Sequence, residues 1–340
     1  MRLLVIGGTS FMGPFVVQHL VDAGHEVAVF HRGTTIARLP TGVGAFRGDR
    51  KQLQAHAGAL RDFRPDVVID MILFTEQDAC CAIETFRGVA DRMVVPSSID
   101  VYRACSIFKR TDPGPPVPTP IDEGSPSRLQ PFPLRGLIPG MEEYDKLLVE
   151  RAVQSEPSLP ATCLRLPMVY GPGDRLHRLL EFLERMDDGR RYLLMNERMA
   201  AWRGSRIYVE NAAAAIARAA TDARATGRIY NVAEAEPLTM RDWAARLAEV
   251  VGWGGEIVLV PPHQLPPHLR AGGMETAQDL VLDSARIRAE LGWTEQVPLA
   301  EGLRRSVDWA RAHPPPELDA QAFDYSAEDE CLARLRGEGR

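Results

Sequence analysis

The chain has 340 residues, 45% hydrophobic and 25% charged. This is an ordinary globular composition, long enough for one large α/β domain with a smaller satellite. A formal net charge of −6 argues against general nucleic-acid affinity, which needs a positive field to displace counterions. The five cysteines (Cys80, Cys81, Cys105, Cys163, Cys331) show neither CxxC nor histidine at metal spacing, so reduced thiols are expected, with no disulfide frame and no metal site.

The predicted elements begin at once. "RLLVIG" (2–7) reads as a buried strand, followed by a helix over about 11–23 and the run "EVAVF" (26–30). A helical segment near 52–63, "DVVID" (66–70), a helix near 76–89 and "RMVVPS" (92–97) continue the alternation. Apolar runs of this length separated by helices specify βαβ units and a parallel sheet. Residues 103–139 are proline-rich and aperiodic, the mark of a lid, a binding segment or a disordered stretch. A helix is expected over about 141–155, then the strand "ATCLRLP" (161–167).

Beyond residue 173 helices are expected at 175–188 and 210–223, a strand at 228–232 and a helix at 237–252. Thr239 is its expected N-cap, with Asp242 three residues on, and Gly252 its end. A strand at 256–260 and helices near 284–291 and 298–312 follow, and "HPPP" (313–316) stops the last of them. The charged tail 317–340 is expected to be partly helical and peripheral. The domain reading is 1–172, then mainly 173–312 with elements between 173 and 255 returning to the first unit, then a tail over 313–340. The opening "MRLLVIGG" has no charged leader, and no apolar run reaches about 18 residues, so neither export nor a membrane span is expected and the protein is read as cytoplasmic.

"VIGGTSFMG" (5–13) joins the first strand to the first helix. Glycines at such a turn let backbone approach a pyrophosphate, and the helix start offers free N–H groups with partial positive charge. Gly7, Thr9, Ser10, Phe11, Met12 and Gly13 are therefore candidate cofactor residues, with Ser10 where a middle glycine is usual. The second strand ends in "VFHRG" (29–33) without the carboxylate that binds the ribose hydroxyl of NAD, so Arg32 is the candidate for the 2′-phosphate of NADP. Asp49 and Arg50 in "GDR" should lie near the adenine, and Met71 and Ile72 follow the next strand into the cofactor cleft. Only three lysines occur among 40 basic residues, which gives Lys146 added weight.

"GGTSFMG", "DVVID", "VVPSSIDVY", "YDKLLVERAV", "LRLPMVYGPGD", "RIYVENAAAAI" and "GRIYNVAEAEPLTM" stand in the order seen in extended short-chain dehydrogenases/reductases. The chain resembles that NAD-dependent epimerase/dehydratase family from residue 1 to about 312, and its "GGTSFMG" and "HRG" are most similar to the atypical branch containing the chloroplast stem-loop RNA-binding proteins. The resemblance implies a doubly wound parallel sheet, an NAD(P)-binding Rossmann domain, with a smaller C-terminal substrate-binding α/β subdomain. It implies NADP or NAD as cofactor, a nucleotide sugar or other small polar substrate, hydride transfer, and a homodimer through the helices near 76–89 and 141–155. It also implies a tyrosine acid/base, a lysine and a serine.

Ser98 matches the serine and Lys146 the lysine, but the tyrosine position holds Glu142. On a regular helix Tyr144 would point nearly opposite to Lys146; if the helix starts only at 144, Tyr144 can fold back. Three readings stand open. Glu142 replaces the tyrosine; or Tyr144, Tyr102 or Asp100 supplies the proton; or the protein binds cofactor without redox turnover and Lys146 is a ribose ligand. Ile99 excludes the acidic pair of sugar 4,6-dehydratases. Pro167, Met168 and Tyr170 should line the cleft, Pro167 beside the nicotinamide, and Arg206 is a candidate for a substrate phosphate. The preferred reading is an NAD(P)-dependent oxidoreductase or epimerase. The alternatives are a non-redox cofactor-binding regulator and an RNA-binding protein of the stem-loop type.

Overall fold

The computed structural model describes residues 1–35, 38–270 and 272–337. In chain order the first half comprises β1 (Arg2–Ile6), α1 (Met12–Asp22), β2 (Glu26–His31), β3 (Gly44–Arg47), α2 (Ala57–Asp62), β4 (Val67–Asp70), α3 (Glu76–Phe86), β5 (Arg92–Ser98), α4 (Arg103–Phe108), α5 (Lys146–Gln154) and β6 (Ala161–Leu166). The second half comprises β7 (Met168–Tyr170), α6 (Leu180–Asp187), β8 (Tyr192–Asn196), α7 (Glu197–Ala201), β9 (Arg206–Tyr208), α8 (Val209–Thr221), β10 (Ile229–Asn231), α9 (Met240–Val251), β11 (Glu256–Val260), α10 (Ala285–Leu291), α11 (Leu299–Ala312) and α12 (Tyr325–Leu335).

Seven strands form one sheet in the order β10-β6-β5-β4-β1-β2-β3, every neighbouring pair parallel. Alternation decides which face each residue serves. Leu3 and Val5 join the core under α1 and α8, through Val16, Val17, Ala212 and Ile216. Leu4 and Ile6 join the opposite core under α3 and α5, through Ala79, Ala82, Val149 and Val153. Both faces are covered, which is why the strands read as continuous apolar runs. Strand order reverses between β1 and β4, so the cleft lies at the carboxyl ends of these strands.

β10, from the 173–255 stretch expected to return to the first unit, lies at the sheet edge beside β6. The structure departs from the sequence reading at several points. Strands β3, β7, β8 and β9 were not among the predicted elements: β3 pairs with β2, β7 with β9 and β8 with β11, each pair parallel. The runs "MVY" and "RIY" are three residues long, too short to show a period. The 103–139 segment contains α4 and otherwise follows an irregular path. The helix expected over 175–188 begins only at Leu180. The helix expected over 141–155 begins only at Lys146, because Asp145 caps it: the Asp145 carboxylate accepts the Leu148 N–H at 2.9 Å.

The tail is not peripheral. α12 buries Glu328, Cys331 and Leu332, and Glu328 takes a bond of 2.6 Å from the Arg185 guanidinium of α6 and one of 3.1 Å with His268 Nε2. A buried carboxylate needs such partners. The last three residues of the expected tail lie outside the described residues.

Candidate active site

The turn after β1 brings backbone to its closest approach. Gly7 has φ +82°, and a Cβ there would stand 3.0 Å from the Ile72 side chain. A Cβ at Gly13 would stand 2.6 Å from the Gly8 carbonyl carbon and 2.7 Å from the Gly7 oxygen. The Gly13 N–H donates to the Ser10 oxygen at 2.9 Å. The first turn of α1 carries no acidic side chain, and no side chain caps it. The turn is thus a glycine-walled helix start with no carboxylate competing for it, a setting that suits a pyrophosphate, although Gly13 spends its N–H on Ser10 and Pro14 has none. Thr9 is buried behind the turn, while Ser10, Phe11 and Met12 are partly exposed along it. Gly13→Ala is expected to lower stability by about 1–3 kcal/mol through backbone displacement, read as a drop in thermal midpoint together with weaker cofactor binding.

At the end of β2, Arg32 is exposed. The Gly33 N–H donates to His31 Nδ1 at 3.2 Å. Burial and the nearby Arg47 lower the pKa of His31. Arg32 and Arg47 make this rim basic, and Arg47 was not foreseen. Asp49 caps the turn that follows, accepting the Lys51 N–H at 2.9 Å. Arg50 requires correction as a cofactor side chain. It is buried, donates to Asp70 Oδ2 at 3.0 Å and to the Asp78 carbonyl at 2.6 Å, and so braces β4 against α3. Met71 is buried at the end of β4, and Ile72 flanks the glycine turn.

Lys146 is 5% exposed. Its Nζ donates to the carbonyls of Leu73 at 2.7 Å and Pro96 at 2.8 Å, and lies 4.9 Å from the centre of the Phe74 ring. Burial pushes its pKa down to about 8, against the opposing pull of Asp100 and Asp70. Neither carbonyl has a sequence signature. The ends of β4 and β5 simply deliver both to one point.

Tyr144 stands outside the helix, so the opposed geometry of a regular helix does not apply. Its hydroxyl donates to Asp100 Oδ2 at 2.7 Å. Ser98 ends β5, and its side chain accepts the Asp100 N–H at 3.2 Å. Asp100 is buried, and its Oδ1 has no partner among the described residues. Burial raises the pKa of Asp100. It also raises that of Tyr144, with the Asp100 charge adding to the effect. Ser98, Asp100, Tyr144 and Lys146 thus form one cluster at the carboxyl end of β5.

Four candidates fall outside it. Glu142 is exposed on the preceding turn, its carboxylate accepting the Gly140 N–H at 3.0 Å; peptide N–H bonds lower its pKa, the reverse of what a neutral acid needs. Tyr102 is fully buried and donates to Asn231 Oδ1 at 2.7 Å, with Arg165 4.7 Å from its ring centre. Tyr170 is also fully buried and donates to Glu234 at 3.0 Å, since β7 turns this residue into the core. Arg206 packs 4.4 Å from the Trp243 ring centre and donates to the Gly204 carbonyl at 2.9 Å, away from the surface. Burial lowers its pKa to about 10. Pro167 is buried and Met168 partly exposed at the β6–β7 junction.

Asp145 was missed altogether. It lies at 0% exposure between the two residues of interest, pairs with Arg128, and accepts the Phe132 N–H at 2.9 Å. Its position directly before a helix was the available signal.

A family model described as "NAD dependent epimerase/dehydratase family" matches residues 3–77 and 138–233. The chain is 31% identical to 2′-dehydrokanamycin reductase of Streptomyces kanamyceticus, over 77% of this chain and 70% of that protein. It is 22% identical to the chloroplast stem-loop binding protein of 41 kDa b of Arabidopsis thaliana, over 98% of this chain and 84% of that one. Among solved structures, the UDP-glucose 4-epimerase of Thermus thermophilus in complex with NAD matches with a TM-score of 0.65 and 25% identity, covering 92% of this chain and 100% of that one.

Proposed function

The chain belongs to the NAD dependent epimerase/dehydratase family, and from that premise we propose that it acts on a small polar, sugar-like substrate with Tyr144 as its acid/base. It is an NAD(P)-dependent enzyme of the oxidoreductase/epimerase kind. The observation that carries the proposal is the hydroxyl of Tyr144, held 2.7 Å from Asp100 in the cluster with Ser98 and Lys146.

The fit of the glycine turn to a pyrophosphate supports cofactor binding there. When bound, the nicotinamide exchanges hydride with the substrate. The glycine turn at the start of α1 would hold the pyrophosphate, and Asp49 would meet the adenine. Lys146, with two donors already on carbonyls, would offer its third to the nicotinamide ribose. Arg32, on the basic rim with Arg47, would hold a 2′-phosphate, which favours NADP over NAD. Ser98 orients the reacting oxygen and Tyr144 exchanges its proton.

The sugar-like class is supported by the names of two relatives, one of dehydrokanamycin and one of UDP-glucose. Among the described residues no helix is long and apolar enough to cross a membrane. We further propose a homodimer through α3 and α5, which light scattering at twice the monomer mass would support and a monomer mass would remove.

Calorimetric titration with NADP and NAD tests the reading. Lys146→Ala is expected to weaken binding about 10–100-fold, the worth of a hydrogen bond from a charged donor. Arg32→Ala should erase the NADP preference while leaving NAD affinity unchanged. Binding of neither cofactor overturns the proposal. Binding without any substrate-dependent change in nicotinamide absorbance would favour the non-redox reading.

A further inference from the structure

We infer that Asp100 is the terminal proton acceptor behind Tyr144: an alcohol substrate passes its proton to Tyr144 as Tyr144 hands its own to Asp100, and the tyrosine stays neutral throughout. The inference rests on Tyr144 being the acid/base and adds where the proton goes. Asp100 acts through Tyr144, and in that sense it is a positioning residue. The Tyr144 hydroxyl donates to Asp100 Oδ2 at 2.7 Å. This bond commits the hydroxyl proton and leaves the lone pairs of the Tyr144 oxygen to accept another. Asp100 itself is 8% exposed, and its Oδ1 finds no donor among the described residues. A buried carboxylate so poorly supplied with donors gains by taking up a proton.

The cations nearby are engaged elsewhere. Lys146 donates to the carbonyls of Leu73 and Pro96. Arg128 pairs with Asp145 and donates to the Gln130 carbonyl. Lys109 faces solvent at the end of α4. Burial pushes the Cys105 thiol up to about 11, so it stays neutral beside Asp100. Asp70, beyond Lys146, is paired with Arg50. Burial accordingly raises the pKa of Asp100, which makes its carboxylate the stronger base. Burial and the Asp100 charge hold the Tyr144 pKa well above its ordinary value, which keeps the hydroxyl from ionising.

In the oxidative step the alcohol O–H bond breaks and its proton bonds to the Tyr144 oxygen. The Tyr144 hydroxyl proton moves to Asp100 Oδ2, and the O–H electron pair becomes the π bond of the carbonyl. The hydrogen on the alcohol carbon leaves with its electron pair, as hydride, to the oxidised nicotinamide. The products are the carbonyl compound, the reduced cofactor, neutral Tyr144 and protonated Asp100. A proton has reached an anion and a hydride has reached a cation, so the step discharges both and creates no tyrosinate beside a carboxylate. Run backwards, protonated Asp100 resupplies Tyr144 as Tyr144 protonates the carbonyl oxygen. One relay thus serves both directions.

The test is an infrared difference titration of the carbonyl stretch of a protonated carboxyl, in wild type and Tyr144→Phe, with Asp100→Asn as the subtracted reference, or Asp100→Ala if the Asn variant does not fold. Asp100 should protonate at least about 1 pH unit above the ordinary aspartate value of about 4. Tyr144→Phe removes a hydrogen bond to the charged form and should raise that midpoint by about a further 1 pH unit. A wild-type midpoint at or below the ordinary value overturns the inference, and so does a midpoint that Tyr144→Phe leaves unmoved. Ultraviolet absorbance of wild type against Tyr144→Phe needs no Asp100 variant. It should show residue 144 still neutral at the ordinary tyrosine midpoint of about 10, and ionisation at or below that point also overturns the inference. Turnover that survives Tyr144→Phe removes the acid/base premise and the inference together, whereas a low carboxyl midpoint removes the inference alone.

Discussion

Tyr144→Phe is expected to lower kcat about 10³-fold, in the range a positioned general acid or base contributes, and to leave cofactor affinity unchanged. The substitution deletes one oxygen and keeps the ring, which lies 6.0 Å from that of Phe74. Steady-state nicotinamide absorbance measures the loss and calorimetry the unchanged affinity. Glu142→Gln is the control, expected to stay within about twofold, because exposed surface substitutions of this kind alter little. If the two results were exchanged, the acid/base would sit at the position the family pattern names, and the turn before α5 would have to close inward in the working enzyme.

Asp145→Ala should destabilise the protein by about 3–5 kcal/mol, the cost of stripping one partner from a buried ion pair. Three contacts disappear together: the Arg128 pair, the Phe132 N–H and the helix cap at Leu148. The first matters most, because the Arg128 guanidinium would stay buried with its charge unmatched. Urea denaturation measures the loss. Asp145→Asn should fall between, retaining a capping oxygen but not the charge. Residual folded protein should also show reduced kcat, since Tyr144 and Lys146 flank the site on either side. A stability change within about 0.5 kcal/mol would mean that water satisfies Arg128 instead.

Local patterns carried much of the architecture. The apolar runs at β1, β2, β4, β5 and β6 were legible because strands buried on both faces leave no alternation to misread. The cap and end of α9 were legible because Thr239, Asp242 and Gly252 act within one turn of their own positions. The phosphate turn was legible for the same reason: strand, glycines and helix are contiguous. β7, β9 and the docking of α12 were not, since each depends on partners far along the chain. The burial of Tyr170 and Arg206 followed from those unread strands.

The active-site candidates divide the same way. Spacing alone singled out Ser98, Lys146 and Glu142, and the structure leaves Glu142 exposed before α5. The sequence by itself determined the fold class, the phosphate turn and the lysine, because each is written in neighbouring residues. Only the tertiary structure decided that the Tyr144 hydroxyl meets Asp100 at the end of β5. The start of α5 depends on Asp145, whose partners Phe132 and Arg128 lie 13 and 17 residues away. The direction of Tyr144 depends on Asp100, 44 residues away. A helix that starts at Lys146 and not at about residue 141 moves Tyr144 from a face opposite the lysine into a non-helical lead-in, and no local pattern records contacts made across such distances.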